Sequence, residues 1–224
     1  MNQRQVAQLI DVSVVRTAHT LKDIQYVADM AKRYGFINAH ALPCWTSTLA
    51  ELLKSTPGVR VGAPVGFPGG GHRTEVKLLE AEKLIEDGVE EMDIVMNVGR
   101  FKNREYAAVR DEINAILAIV PESILTKVII EINALSDEEL CRACELVMET
   151  GADFLKTGTG WIPGDANVAR IRRIKEITGD RLKVKAAGGI RTVGEFEELL
   201  ALGVERFGIN TTSAITIVQS FPVE

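Results

Sequence analysis

Short, nearly continuous apolar runs alternate along this chain with longer stretches whose apolar residues recur at helical spacing. After a short polar N-terminal helix, Leu9-Ile10-Asp11-Val12 reads as a first strand. The stretch from about Leu21 to Tyr34 puts Ile24, Val27, Ala28 and Ala31 on one helical face and stops at Gly35. Phe36 to Ala41 reads as the second strand, Pro43 opens a helix to Leu53, and Val59 to Val65 is the third strand. A helix from Thr74 to Asp87 precedes a fourth strand, Glu91 to Met96, and a helix from about Glu105 to Ile119 precedes a fifth, Leu125 to Glu131. Ser136, with Glu139 three residues on, is the capping-box pattern of a sixth helix that Gly151 ends. Ala152 to Lys156 is the sixth strand, a helix covers about Ala166 to Thr178, and Leu182 to Lys185 leads the seventh strand. Thr192 to Leu202 is helical, Arg206-Phe207-Gly208-Ile209 is the eighth strand, and a last helix begins near Thr211.

Strands that are apolar throughout, rather than at alternate positions, belong to parallel sheets covered by helices on the outside. Eight strand–helix units predict a closed (β/α)8 TIM barrel with a short N-terminal helix. An open doubly wound sheet would have fewer strands and a Gly-x-Gly-x-x-Gly at its first turn, which is missing here. No linker-like or low-complexity segment divides the chain, so residues 1–224 read as a single barrel domain.

Composition narrows the partners. With 46% hydrophobic and 25% charged residues the chain can bury a core, and its net charge of -5 gives no basic footprint for nucleic acid or an anionic membrane. No apolar run could span a bilayer, and Met1-Asn2-Gln3-Arg4-Gln5 leads into no signal-type block. A small-molecule partner and a cytoplasmic location are expected. Cys141 and Cys144 fall within a helical pattern and Cys44 stands alone, so a structural or incidental role is expected for all three.

Active-site groups of such barrels lie at the C-terminal ends of the strands. The polar residues there are Asp11, His40, Asp93, Asn97, Glu131, Lys156 and Lys185. The loops Gly188-Gly189 and Gly208-Ile209-Asn210-Thr211-Thr212-Ser213 are rich in glycine and hydroxyls, and backbone N–H groups at helix starts there would hold a phosphate. A lysine that attacks a carbonyl must be neutral, yet its free pKa is about 10.4. Burial and a second nearby cation both disfavour the ammonium. Strands six and seven are neighbours, so Lys185 is expected beside Lys156, lowering its pKa, with Asp93 paired to Lys185 as a proton relay. A purely structural reading, a buried Lys–Asp pair that fixes barrel geometry, competes with this one.

Five motifs in order carry a resemblance over nearly the whole length. They are Val65 to Gly70 with Thr74-Glu75-Val76-Lys77, Glu91 to Gly99, Lys127 to Glu131, Gly151 to Thr157 and Val184 to Arg191. Together they resemble the deoxyribose-phosphate aldolase family, class I aldolases on a (β/α)8 barrel. The resemblance implies retro-aldol cleavage of 2-deoxyribose 5-phosphate to acetaldehyde and glyceraldehyde 3-phosphate. It implies Lys156 as the Schiff-base lysine, Lys185 as the lysine that lowers its pKa and moves protons, and Asp93 as the carboxylate of the relay. Asp11 matches the aspartate of the family's first-strand motif. Substrate binding is expected at Asp11, His40, Thr157, Thr159, Gly188, Gly189, Gly208, Asn210 and Thr211. No metal or other cofactor is implied, and no clustered His/Cys ligand set is present in the sequence. Members are commonly dimers or tetramers, which implies a homo-oligomer.

The chain departs from the family pattern at the substrate end. The first motif continues as Val12-Ser13 rather than His-Thr, His40 stands where a cysteine is common, and Leu42 follows it. Gly158 replaces a serine after Lys156, and Asn210 lies in a loop where serines are common. These changes leave the amine machinery intact and bear on the substrate. His40 reads either as a hydrogen-bonding or proton-transfer group or as a passive substitution. Trp161 reads as a packing residue, Glu131 as a structural carboxylate, and His72 and His19 as surface residues. Two other activities are weighed: a Schiff-base aldolase for a different small sugar phosphate or aldehyde pair, and a non-covalent sugar-phosphate isomerase or decarboxylase. A catalytically idle barrel is the remaining reading.

Overall fold

The computed structural model describes residues 1–164 and 167–223. Eight parallel strands close a barrel in sequence order. They are β1 (Ile10–Val14), β2 (Asn38–Ala41), β3 (Arg60–Val65), β4 (Glu91–Val95), β5 (Leu125–Ile129), β6 (Phe154–Lys156), β7 (Lys183–Ala187) and β8 (Arg206–Asn210). β8 returns to β1 with Ile10 beside Phe207 and Asp11 beside Gly208. The helices among the described residues are α1 (Gln3–Ala7), α2 (Leu21–Tyr34), α3 (Thr46–Leu53), α4 (Thr74–Glu86), α5 (Val98–Lys102), α6 (Tyr106–Ile119), α7 (Asp137–Met148), α8 (Val168–Thr178), α9 (Val193–Ala201) and α10 (Thr211–Gln219). This is the (β/α)8 TIM barrel with a short N-terminal helix that the pattern predicts.

α2 shows how the sequence sets an outer helix. Thr20 donates its backbone N–H and its hydroxyl to the Asp23 carboxylate, at 2.7 and 2.8 Å, which fixes the first turn. Ile24, Val27, Ala28 and Ala31 are then buried on one face against the barrel, each large apolar side chain being worth roughly 1.5–3 kcal/mol. Elsewhere the boundaries shift for local reasons. Pro43–Trp45 is a 3-10 turn ahead of α3, and α5 is an additional short helix capped by Asn97, whose Oδ1 accepts from Arg100 N at 3.1 Å. β5 ends at Ile129 because Glu131 takes a left-handed φ of 55° before the 3-10 turn Ile132–Ala134. β6 is shorter than its apolar run, since Asp153 turns its carboxylate onto Thr126 N at 2.8 Å. Ala166, where the pattern starts the helix that becomes α8, lies outside the described residues, as does Glu224.

The apolar core is the shell between strands and helices. On β4, Met92 and Ile94 point outward and pack with Ala63 and Val65 of β3 and with Ala81 and Leu84 of α4. Period-2 alternation then turns Glu91 and Asp93 inward. Barrel interiors of this kind are commonly filled by branched aliphatic side chains. Here the interior is charged.

Candidate active site

The deeper part of the interior is a saturated ion network. Lys127 Nζ lies 2.5 Å from Glu91 Oε2, 3.0 Å from Asp93 Oδ1 and 3.8 Å from Asp11 Oδ2. Arg206 donates to Asp11 Oδ1 at 2.7 Å and to Glu91 Oε1 at 3.1 Å. Burial alone would strip the proton from Lys127, but Asp93, Glu91 and Asp11 outweigh it and hold the amine above the ordinary lysine range. The same balance acts on the carboxylates. Burial opposes the ionisation of Asp11, and Lys185, Lys127 and Arg206 overcome it, leaving the group well below the usual carboxylate range. Asp93 is likewise lowered against its burial, by His40 and by Lys127, Lys156 and Lys185.

Toward the C-terminal ends of the strands the anions run short. Lys156 and Lys185 are adjacent in the β6–β7 register. Both donate to one oxygen, Asp93 Oδ2, at 2.7 and 3.0 Å, and Lys185 also lies 2.5 Å from Asp11 Oδ2. Lys156 is pushed down to about 8, first by burial and further by Lys185 and Lys127, with Asp93 opposing. The expected pairing of the two lysines is present, with burial as the larger cause. His40 of β2 is buried in the same cluster, its Nε2 3.3 Å from Asp93 Oδ2.

A cavity of about 750 Å³ opens above these groups, lined by Asp11, His40, Lys156, Lys185, Thr159, Gly188, Gly189, Gly208, Asn210 and Thr211 from the expected set. Asp93 is fully buried beneath the lysines. Thr157 turns to β7, where its hydroxyl donates to Ala187 O and accepts from Ala187 N, at 3.0 and 2.9 Å. Thr159 faces the cavity, but its hydroxyl donates to Glu131 and accepts from Trp161 N at 3.0 Å. Glu131 is thus a clamp on the loop after β6, in line with its structural reading. Gly208 is small for a reason on the page: a Cβ there would come within 2.9 Å of Ala187 Cβ and 3.2 Å of Lys185 Cε. Asn210 caps α10, its Oδ1 accepting from Ser213 N at 3.0 Å.

At the cavity mouth Trp161 packs edge-on against Phe67 at 5.9 Å, and Arg16 lies 5.7 Å over the indole while donating to Gly160 O at 2.9 Å. His19 is half-buried there and accepts from Arg16 N at 3.0 Å, rather than standing free on the surface. Cys141 and Cys144 both lie in α7, and Cys144 is buried with its thiol pushed up to about 12 by that burial.

Reading strand ends missed Lys127, Glu91 and Arg206, which lie deeper in the barrel. The signal for them was the spacing Glu91-x-Asp93, which sends two carboxylates to one face of a buried strand and so calls for buried cations.

No family model matches the chain. A curated relative from Sinorhizobium medicae, a deoxyribose-phosphate aldolase, is 45% identical over 217 residues, covering 96% of this chain and 87% of the relative. Among solved structures, "QR15, an Aldolase" is 32% identical with a TM-score of 0.89, covering 96% of this chain and 95% of that one. The tetrameric deoxyribose phosphate aldolase from Aeropyrum pernix is 27% identical with a TM-score of 0.89, covering 98% of this chain and 92% of its own. With its barrel, its paired lysines and this near full-length identity, the chain belongs to the deoxyribose-phosphate aldolase family.

Proposed function

We propose that this chain is a class I aldolase of 2-deoxy-D-ribose 5-phosphate, releasing acetaldehyde and D-glyceraldehyde 3-phosphate through a Schiff base on Lys156. The carrying observation is the Lys156 amine: buried, 2.7 Å from Asp93, beside Lys185 and lowered to about 8. Near neutral pH a useful fraction of such an amine is unprotonated and nucleophilic.

Neutral Lys156 adds to the C1 aldehyde, and loss of water from the carbinolamine gives an iminium. The iminium nitrogen is the electron sink, so the chemistry needs no further cofactor. Breaking C2–C3 sends its electron pair toward that nitrogen and leaves an enamine; protonation at C2 and hydrolysis release acetaldehyde. Lys185 keeps Lys156 short of protons, and Asp93, touching both amines through one oxygen, passes a proton between them as the carbinolamine forms and collapses. Asp11 holds Lys185 in place. The phosphate is assigned to the backbone of Gly188, Gly189 and Gly208 and to the start of α10 at Asn210 and Thr211, all on the cavity wall.

Residues 1–224 are read as one catalytic domain, working in the cytoplasm on a small phosphorylated sugar rather than on nucleic acid or membrane. No helix among the described residues is long and apolar enough to cross a membrane. A homo-oligomer, dimer or tetramer, is the expected assembly, supported by the tetramer of the Aeropyrum pernix relative. Borohydride with acetaldehyde tests the central step. An ethyl adduct at Lys156 is expected by peptide mass mapping, and cleavage should vanish in Lys156→Ala; full activity in that variant would sink the reading.

A further inference from the structure

The retro-aldol step also needs a base, because the proton on the C3 hydroxyl must leave as C2–C3 breaks. The groups around Asp93 are poorly suited. Asp93 is committed to Lys127, Lys156 and Lys185, and Lys127 is saturated by three carboxylates. His40 is different. Its Nδ1 pairs with Asn38 Oδ1, an oxygen that can only accept, so Nδ1 carries the ring proton and Nε2 of the neutral imidazole is bare. Nε2 is buried with no hydrogen-bond partner, while the ring lines the cavity that holds Lys156. It sits 3.3 Å from Asp93 Oδ2, so two acceptors face each other with no donor between them. A substrate hydroxyl would bring that donor.

The seat for this ring is also built. His40 pairs with Gly62 in the β2–β3 register, and a Cβ at Gly62 would overlap the imidazole, standing 2.7 Å from Nε2 and closer still to its neighbours. Only glycine at this position lets the ring lie where it does. The environment disfavours its charged form. Burial lowers the His40 pKa most, Lys185 and Lys127 lower it further, and Asp93 opposes them. Asp11 also acts on the ring.

We propose that His40, seated by Gly62 and oriented by Asn38, is the general base that takes the C3 hydroxyl proton and afterwards delivers it to C2. Nε2 accepts the proton, and the O–H electron pair becomes the carbonyl of glyceraldehyde 3-phosphate. The C2–C3 pair becomes the C1–C2 double bond of the enamine and neutralises the iminium nitrogen. The imidazolium then returns its proton to C2, which restores the iminium on Lys156 and the neutral ring. One proton has moved from oxygen to carbon, as the overall cleavage requires.

This inference rests on the Schiff-base reading, and two readouts separate them. In His40→Gln, borohydride trapping of acetaldehyde on Lys156 should proceed at the wild-type rate. Its kcat for cleavage should fall about 100-fold or more, within the usual span for a lost acid–base group, and the acid limb of the pH–rate profile should lose the step that His40 adds while keeping the one set by Lys156. Gly62→Ala, which displaces the ring without removing it, should likewise keep trapping and lose cleavage. Normal trapping with near wild-type kcat in both variants overturns the role of His40 and leaves the Schiff base standing. Equal loss of trapping and cleavage in His40→Gln also overturns it, since the ring would then only shape the lysine site. No trapping in the wild-type protein would overturn both readings.

Discussion

Lys127 and Lys156 are buried amines in one barrel, both hydrogen bonded to Asp93, and their proton affinities move in opposite directions. Desolvation penalises both ammoniums, so burial does not separate them. The supply of anions does. Lys127 sits within reach of Glu91, Asp93 and Asp11, whereas Lys156 reaches only Asp93 Oδ2 and shares that oxygen with Lys185. Inside the barrel, Lys127, Lys156, Lys185 and Arg206 face the carboxylates of Asp11, Glu91 and Asp93, one cation more than the anions neutralise. Lys156, nearest the cavity and poorest in partners, is where releasing a proton relieves the imbalance. One layer of charge is structural and the other chemical, because the same residue types occur in different ratios.

The largest effect expected from this contrast is on stability. Lys127→Met leaves Glu91 Oε2 and Asp93 Oδ1 buried without the amine that pairs them, and breaking a buried pair in this way costs about 3–5 kcal/mol. Lys156→Met removes an ammonium that the fold already disfavours, so its urea midpoint should stay near wild type while cleavage is abolished. Equal destabilisation by the two substitutions would erase the distinction between the layers. Lys185→Leu comes next. It removes the cation beside Lys156 but leaves Asp11 its contact with Arg206, so the barrel should remain folded by circular dichroism. The rate of cleavage should drop about 100-fold or more, the span typical of a lost proton-transfer group; near wild-type turnover would refute the electrostatic argument.

Much of this was legible in the chain, for reasons that particular residues make clear. The eight strands stood out because they are short, near-continuously apolar runs set between stretches of helical spacing, and Lys156 and Lys185 because a charge at the end of such a strand has to face something polar. Thr157 shows what strand-end reading overlooks. With Lys156 turned into the barrel, the next side chain turns away, and its hydroxyl is spent on the β7 backbone. Glu91 and Arg206 were missed because they lie at the strand starts, where a charge usually reaches solvent; here both are buried. The fit of Gly62 to His40 depends on strand register and close approach, which no local pattern encodes.

The smallest effect is a shift in pH dependence, and it tests the charge imbalance most directly. Schiff-base formation requires neutral Lys156, so trapping of acetaldehyde by borohydride should rise about tenfold per pH unit below the amine's pKa. It should level off above about 8. Burial is the first cause of that low value and survives in Lys185→Leu, while one of the two opposing cations is lost and Asp93 has one fewer amine to serve. Both changes favour the Lys156 ammonium. The midpoint of trapping should therefore move up in Lys185→Leu, toward but not reaching the ordinary 10.5, because burial and Lys127 still act on the amine. A midpoint that stays at the wild-type value would show that burial alone sets the nucleophile. A midpoint that moves down would show that the net effect of Lys185 is to stabilise the ammonium, through the carboxylates it holds in place.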